Sequence, residues 1–175
     1  RPTRVPAFYV SDNTCSRLNA THDERNTIDK WSNRMTQNAP LRPQPRFPEP
    51  DTEPFWEATK NKELKYQTCN SCSEVIFYPR AHCPSCGSLE TSWNTSKGDG
   101  AVYTYSVILQ SRHPAFKDLG PYALAYVDLD EGFRIMSNIV NVADPVNDIS
   151  CGMRVKLNWH DQGEGEIALP MFEPA

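Results

Sequence analysis

Two Cys-x-x-Cys pairs, Cys69-Asn70-Ser71-Cys72 and Cys83-Pro84-Ser85-Cys86, constrain the fold of this chain more than any other feature. Zinc favours a tetrahedron of thiolates, and a CxxC turn lets two sulfurs reach one ion while the intervening backbone bends around it. Two such turns complete the shell, so Cys69, Cys72, Cys83 and Cys86 are expected to ligate one Zn2+, with Gly87 relaxing the second turn. A redox dithiol or an iron site is the lesser alternative for the same residues. Four thiolates leave no position open for water, so the metal is expected to be structural rather than catalytic. His82, next to Cys83, is then a surface residue or a neighbour of the ligands. Of the six cysteines, Cys15 and Cys151 remain. Both read as ordinary reduced thiols, because no histidine lies near either in sequence to activate it.

The 175 residues suit one ordinary domain or two small ones, and a hydrophobic share of 38% favours the second arrangement over one large core. A formal net charge of -4 argues against a protein dedicated to the phosphate backbone of nucleic acid. No run approaches the ~18–20 apolar residues of a membrane span, and the first residues lack the apolar core of a signal peptide. A cytoplasmic chain with no membrane partner is expected, in keeping with cysteines spaced for metal rather than for a disulfide framework.

Residues 1–50 form an expected extended or disordered arm, rich in Asn, Arg and Pro, with six prolines from Pro40 to Pro54. Met35-Thr36-Gln37-Asn38-Ala39-Pro40 has the look of a natural start, which leaves residues 1–34 as either an upstream remnant or a genuine extension that wraps a partner. Residues 51–96 should hold a short helix over roughly 53–62, capped at Asp51 or Thr52, followed by the metal-binding ribbon. Phe55 and Trp56 are expected to pack on that ribbon rather than on a ligand. Leu64–Thr68, Val75–Pro79 and Thr91–Asn94 have strand composition. Lys97-Gly98-Asp99-Gly100 is a breaker cluster, after which residues 97–175 are mainly β. Val102–Leu109, Tyr122–Leu129, Phe133–Val140 and Arg154–Trp159 are β-rich runs, Ile167–Leu169 is a candidate fifth, and Gly132 can supply the positive φ of a tight hairpin after Asp130-Glu131. A small closed barrel follows from so many strands and so little helix.

Catalytic motifs are absent from the sequence: there is no GxSxG, HExxH, phosphate loop or dinucleotide-binding GxGxxG in a strand-to-helix setting. His22, His113 and His160 are scattered, and Asp128, Asp130 and Glu131 read as a solvated turn. An independent enzyme using Cys151 or His113 is the weakest reading. A single-stranded nucleic-acid binder, with Tyr103, Tyr105 and Tyr126 as stacking platforms, is the stronger alternative. Against it, Val102–Leu109 carries no Lys or Arg, and the acidic turn lies on the neighbouring hairpin.

Pro54-Phe55-Trp56-Glu57, Leu64, the Cys69/Cys72 pair, and Tyr78-Pro79-Arg80 before Cys83-Pro84-Ser85-Cys86-Gly87 together resemble the DUF35 family. The likeness continues through Gly98–Tyr105, Pro121–Gly132, Gly152–Val155 and Leu169–Phe172, covering about residues 53–173. The resemblance implies a rubredoxin-like zinc ribbon followed by a five-stranded OB-fold barrel. It also implies an accessory subunit for a thiolase-like enzyme that acts on CoA thioesters by thiolysis, acyl transfer or retro-aldol cleavage, the partner supplying the catalytic cysteine. CoA or acyl-CoA is then an expected ligand. Its adenine suits aromatic faces, its phosphates suit cations, and its acyl-pantetheine arm suits an apolar channel. Phe77, Tyr78, Arg80, Lys97 and Arg112 offer such groups, with Tyr78 and Arg80 first because the second zinc turn would hold their backbone. No catalytic residue is expected in this chain.

Overall fold

The computed structural model describes Arg42, Pro43, Pro45 and residues 49–175 apart from Glu164. Cys15, His22, Met35 and nearly all of the expected arm lie outside the described residues. The described chain from Pro50 onward is mainly β, with one short helix, a three-stranded ribbon and a closed five-stranded barrel.

Helix α1 spans Glu53–Lys60, with Pro54 in its first turn, where a missing N–H costs nothing, and with Glu53 and Lys60 complementing the helix dipole. Thr52 occupies the N-cap position without a side-chain cap. Its hydroxyl instead donates to Glu49 Oε2. The helix ends at Asn61 and Lys62, the latter at φ 59°, with both backbone N–H groups donating to carbonyls of the last turn. Phe55, Ala58 and Thr59 form its buried face.

The ribbon pairs β1 (Lys65–Cys69), β2 (Val75–Ile76) and β3 (Thr91–Thr95) antiparallel in the order β2-β1-β3. β2 is shorter than its composition predicts, ending at Ile76. The barrel follows: β4 (Asp99–Ile108), β5 (Tyr122–Leu129), β6 (Arg134–Ile139), β7 (Arg154–His160) and β8 (Leu169–Pro174). They close in the order β4-β5-β6-β8-β7, with β7 returning to β4, every pairing antiparallel except β6 with β8. This is the OB-fold topology. Closure leaves no free sheet edge, which is why a β-rich segment this short can stand as a unit.

One core joins helix, ribbon and barrel. Phe55 and Leu64 are buried in the same cluster as Val102, Val127, Phe133, Val155 and Phe172, with Tyr66, Phe77 and Trp93 packed against it. An aromatic relay crosses the junction: Trp56 to Phe55 at 4.9 Å, Phe55 to Phe77 at 5.7 Å, Phe77 to Phe133 at 4.8 Å, and Phe133 to Tyr66 at 5.1 Å between ring centroids. Phe55 therefore packs on the ribbon's Phe77 and, through it, on the barrel. The hairpin acids are not simply solvated. Asp128 pairs with Arg134, Asp130 pairs with Arg154 through two hydrogen bonds, and Glu131 Oε1 accepts the Lys97 N–H at 2.7 Å. That last bond fastens the segment after β3 to the β5–β6 hairpin.

Candidate metal centre and adjoining cavity

The two cysteine turns are built alike. Ser73 N–H donates to Cys69 O at 2.9 Å, and Gly87 N–H donates to Cys83 O at 2.9 Å. The residue after each pair takes a positive φ, 62° at Ser73 and 75° at Gly87. Glycine announces that conformation in the second turn, whereas Ser73 gives no comparable sign in the first. A hydrogen bond of 2.9 Å from Ser71 Oγ to Ser88 Oγ ties the turns together.

The turns bring the Sγ atoms of Cys69, Cys72, Cys83 and Cys86 within 4.8 Å of one another, the Cys69–Cys86 and Cys72–Cys83 separations both being 3.6 Å. A tetrahedron with Zn–S bonds of about 2.3 Å has edges of about 3.8 Å, so the donor set fits a zinc ion. The thiols also cannot all ionise together without a cation. Cys69 is drawn down to about 6, first by the Cys72 backbone N–H. Cys72 is pushed up to about 12: the Glu74 backbone N–H works against that rise, and the Cys86 sulfur and burial cause it. A bound dication would supply the charge that lets every sulfur coordinate as thiolate. Cys69 and Cys83 are buried with Ile76 in a small cluster of their own, and His82 is exposed and outside the sulfur group.

Beside the ribbon, residues of helix, ribbon and barrel line a half-open cavity of about 250 Å³. Its walls are mostly apolar: Phe55 and Trp56 from α1, Phe77 to Pro79 from the ribbon, Leu124, Ile135 and Met136 from β5 and β6, and Leu169 to Met171 from β8. Arg42, Thr52, Ser137 and Asn138 add polar side chains to the lining. Arg42 Nη1 donates to Asn138 Oδ1 at 2.9 Å, its backbone N–H donates to Gln162 Oε1 at 3.2 Å, and its guanidinium lies 5.0 Å from the Phe116 ring centroid. Burial holds the Arg42 guanidinium below its ordinary value, partly offset by Tyr122.

Of the residues singled out from sequence for CoA, Phe77 and Tyr78 line this cavity. Arg80 follows directly after the lining segment. It is exposed, and its backbone is anchored by an N–H donated to the buried Gln67 Oε1 at 2.9 Å. Lys97 lies at the segment between β3 and β4, Arg112 lies in the β4–β5 loop, both are exposed, and neither borders the cavity. Arg42, Trp56, Met136 and Asn138 border it without having been named as ligand contacts. From sequence Trp56 reads as a packing residue, and Arg42 comes from the proline-rich arm, where no periodic pattern points to a site.

The chain matches the ChsH2 rubredoxin-like zinc ribbon domain over residues 56–92 and the ChsH2 C-terminal OB-fold domain over residues 93–160. It is 39% identical over 102 residues to a "DUF35 domain-containing scaffold protein" of Methanothermobacter thermautotrophicus, covering 56% of this chain and 73% of that one. The chain belongs to the DUF35 family. A further DUF35 relative is the "Ltp2-ChsH2(DUF35) aldolase" structure, at TM-score 0.66 and 35% identity over 74% of this chain and 98% of that chain. A DUF35 protein of unknown function from Sulfolobus solfataricus, at 13% identity and TM-score 0.53, shares the fold. A "Probable enoyl-CoA hydratase alpha subunit" of Thermomonospora curvata is 38% identical over 136 residues, 77% of this chain. The chain spans 40% of that relative's length. Among the described residues, no helix is long and apolar enough to cross a membrane.

Proposed function

We propose that this DUF35 chain is a non-catalytic accessory subunit of a thiolase-like enzyme acting on CoA thioesters, with a structural zinc ribbon that holds an interface and part of an acyl-CoA path. The likeness to the Ltp2-ChsH2(DUF35) aldolase, spanning 98% of that chain at 35% identity, carries the reading. Relatives named as scaffold proteins and as an enoyl-CoA hydratase subunit agree with it. Chemistry within the chain points the same way. The closed sulfur shell offers no site for substrate, Asp128 and Asp130 are engaged with arginines, and Cys151 is exposed on a loop. The metal's role is then mechanical. Cys69, Cys72, Cys83 and Cys86 would fix β1 and β2, and through them the Phe77–Arg80 segment, against the barrel. Tyr78 and Arg80 offer an aromatic face and a cation to the CoA nucleotide, with Lys97 and Arg112 as further cations for its phosphates.

The test is to co-express the chain with a thiolase-like partner and to assay that partner with and without it. Co-purification and a partner activity that depends on this chain are expected. A partner fully active alone would refute the proposal.

A further inference from the structure

We infer that Arg42 is a clasp on the barrel: seated in the groove where barrels of this topology take their ligands, it holds the two loops that border the groove in one arrangement, and withdrawing it frees both. The inference stands apart from the proposed function, since it requires neither CoA nor a partner enzyme.

Topology locates the groove. OB barrels take their ligands on the face of their second and third strands, between the loop that joins the first two strands and the loop that joins the last two. In this barrel those parts are β5 and β6, the β4–β5 loop (residues 109–121) and the β7–β8 loop (residues 161–168). Arg42, from the proline-rich segment before α1, meets β6 and both loops. Its Nη1 donates to Oδ1 of Asn138, on the outward register of β6, at 2.9 Å. Its guanidinium lies 5.0 Å from the ring centroid of Phe116 in the β4–β5 loop, and its backbone N–H donates to Gln162 Oε1 in the β7–β8 loop at 3.2 Å.

Each of these partners is itself held. Asn138 Nδ2 donates to Ala123 O on β5 at 2.9 Å, which leaves its oxygen for Arg42. Gln162 Nε2 donates to Ile167 O at 3.4 Å, back across its own loop. Phe116 sits in a turn where its N–H and that of Lys117 donate to His113 O at 2.9 and 3.0 Å, and its ring stacks with Tyr122 at 5.7 Å. Long loops lose much conformational entropy on ordering, so they keep one arrangement only where specific contacts offset that loss. A charge-assisted hydrogen bond and a cation–π contact from one side chain together shift a local opening equilibrium by about tenfold or more. Both loops therefore share an anchor, and slackening on one side of it reaches the other.

Hydrogen exchange, read by mass spectrometry on the full zinc-loaded chain, tests the clasp. Arg42→Ala is expected to speed amide exchange in the β4–β5 loop by about tenfold or more, and to speed it in the β7–β8 loop, while β1–β3 of the ribbon keep their rates. Trypsin cleavage after Arg112 and Lys117, both in the β4–β5 loop, should accelerate in step. Gln162→Ala removes a contact made from the β7–β8 loop alone, yet it should also quicken exchange in the β4–β5 loop, by about two- to tenfold. This milder variant decides the matter if Arg42→Ala does not fold. Unchanged exchange in both loops of Arg42→Ala, a Gln162→Ala effect confined to its own loop, or a uniform acceleration that includes the ribbon would overturn the inference.

Discussion

Gly98 shows how tightly single residues are specified where ribbon meets barrel. Its φ is 83°, and a Cβ placed there would lie 2.3 Å from Leu157 Cβ. Gly98→Ala combines left-handed strain with overpacking and is expected to cost about 2–4 kcal/mol in denaturant unfolding. Gly120, at φ 68° with no heavy atom within 4 Å of its virtual Cβ, isolates the strain alone. Gly120→Ala should cost about 1–2 kcal/mol. His160 makes a pH prediction. Burial, reinforced by the Arg42 charge and opposed by Asp161, holds it below its ordinary 6.5. A depressed folded-state value means that the unfolded chain takes up the proton first, so this contribution is complete above pH 6.5 and is lost as pH falls through the folded value. His160→Gln should flatten the stability profile in that window, as read by Tm against pH. Such residues differ in how they appear in sequence. The cysteines are legible because their spacing is their chemistry, whereas Arg42 becomes a cavity residue only when Asn138 and Gln162, remote in sequence, are brought beside it.

The ribbon has little core of its own beyond Cys69, Ile76 and Cys83. Metal must therefore supply much of its stability, and structural zinc in small fingers contributes on the order of 10 kcal/mol. A strong chelator is expected to unfold β1–β3, read as a change in Trp93 fluorescence, and Cys69→Ser or Cys83→Ser should do the same without chelator. A ribbon unchanged after zinc is removed would contradict a structural role. Among the barrel strands, β5 was legible to the residue because Tyr122–Leu129 alternates between buried and outward positions and ends at the Gly132 hairpin, φ 95°. Two others were less so. β4 begins at Asp99, inside the glycine cluster read as a breaker, because Gly98 and Gly100 accommodate the close approach of Leu157 and the Asp128 carbonyl. β8 runs Leu169–Pro174 rather than from Ile167, its two prolines disguising a strand that nonetheless pairs with β7 along its length.

Across the whole molecule, the order of ribbon and barrel could be read from the cysteines and the succession of β-rich runs, and from the resemblance those motifs carry. The cavity could not, since its walls come from α1, the segment after β2, β5, β6 and β8, elements far apart in sequence. Phe133 is central to the aromatic relay, buried, stacked on Tyr66 and tilted against Phe77. Phe133→Ala is expected to cost about 3–5 kcal/mol and to split unfolding of ribbon and barrel into separate transitions in a calorimetric scan. A single unshifted transition would show that Phe133 does not carry the coupling between them. On the proposed accessory role, the relay would hold a docking surface and a share of the ligand path in fixed register. Titrating a thiolase-like partner with the zinc-loaded chain, while following turnover of a CoA thioester, tests the account most directly. Activity is predicted to rise and saturate at a fixed ratio of the two chains, and Cys83→Ser should fail to support it. Full turnover before any of this chain is added would contradict the account.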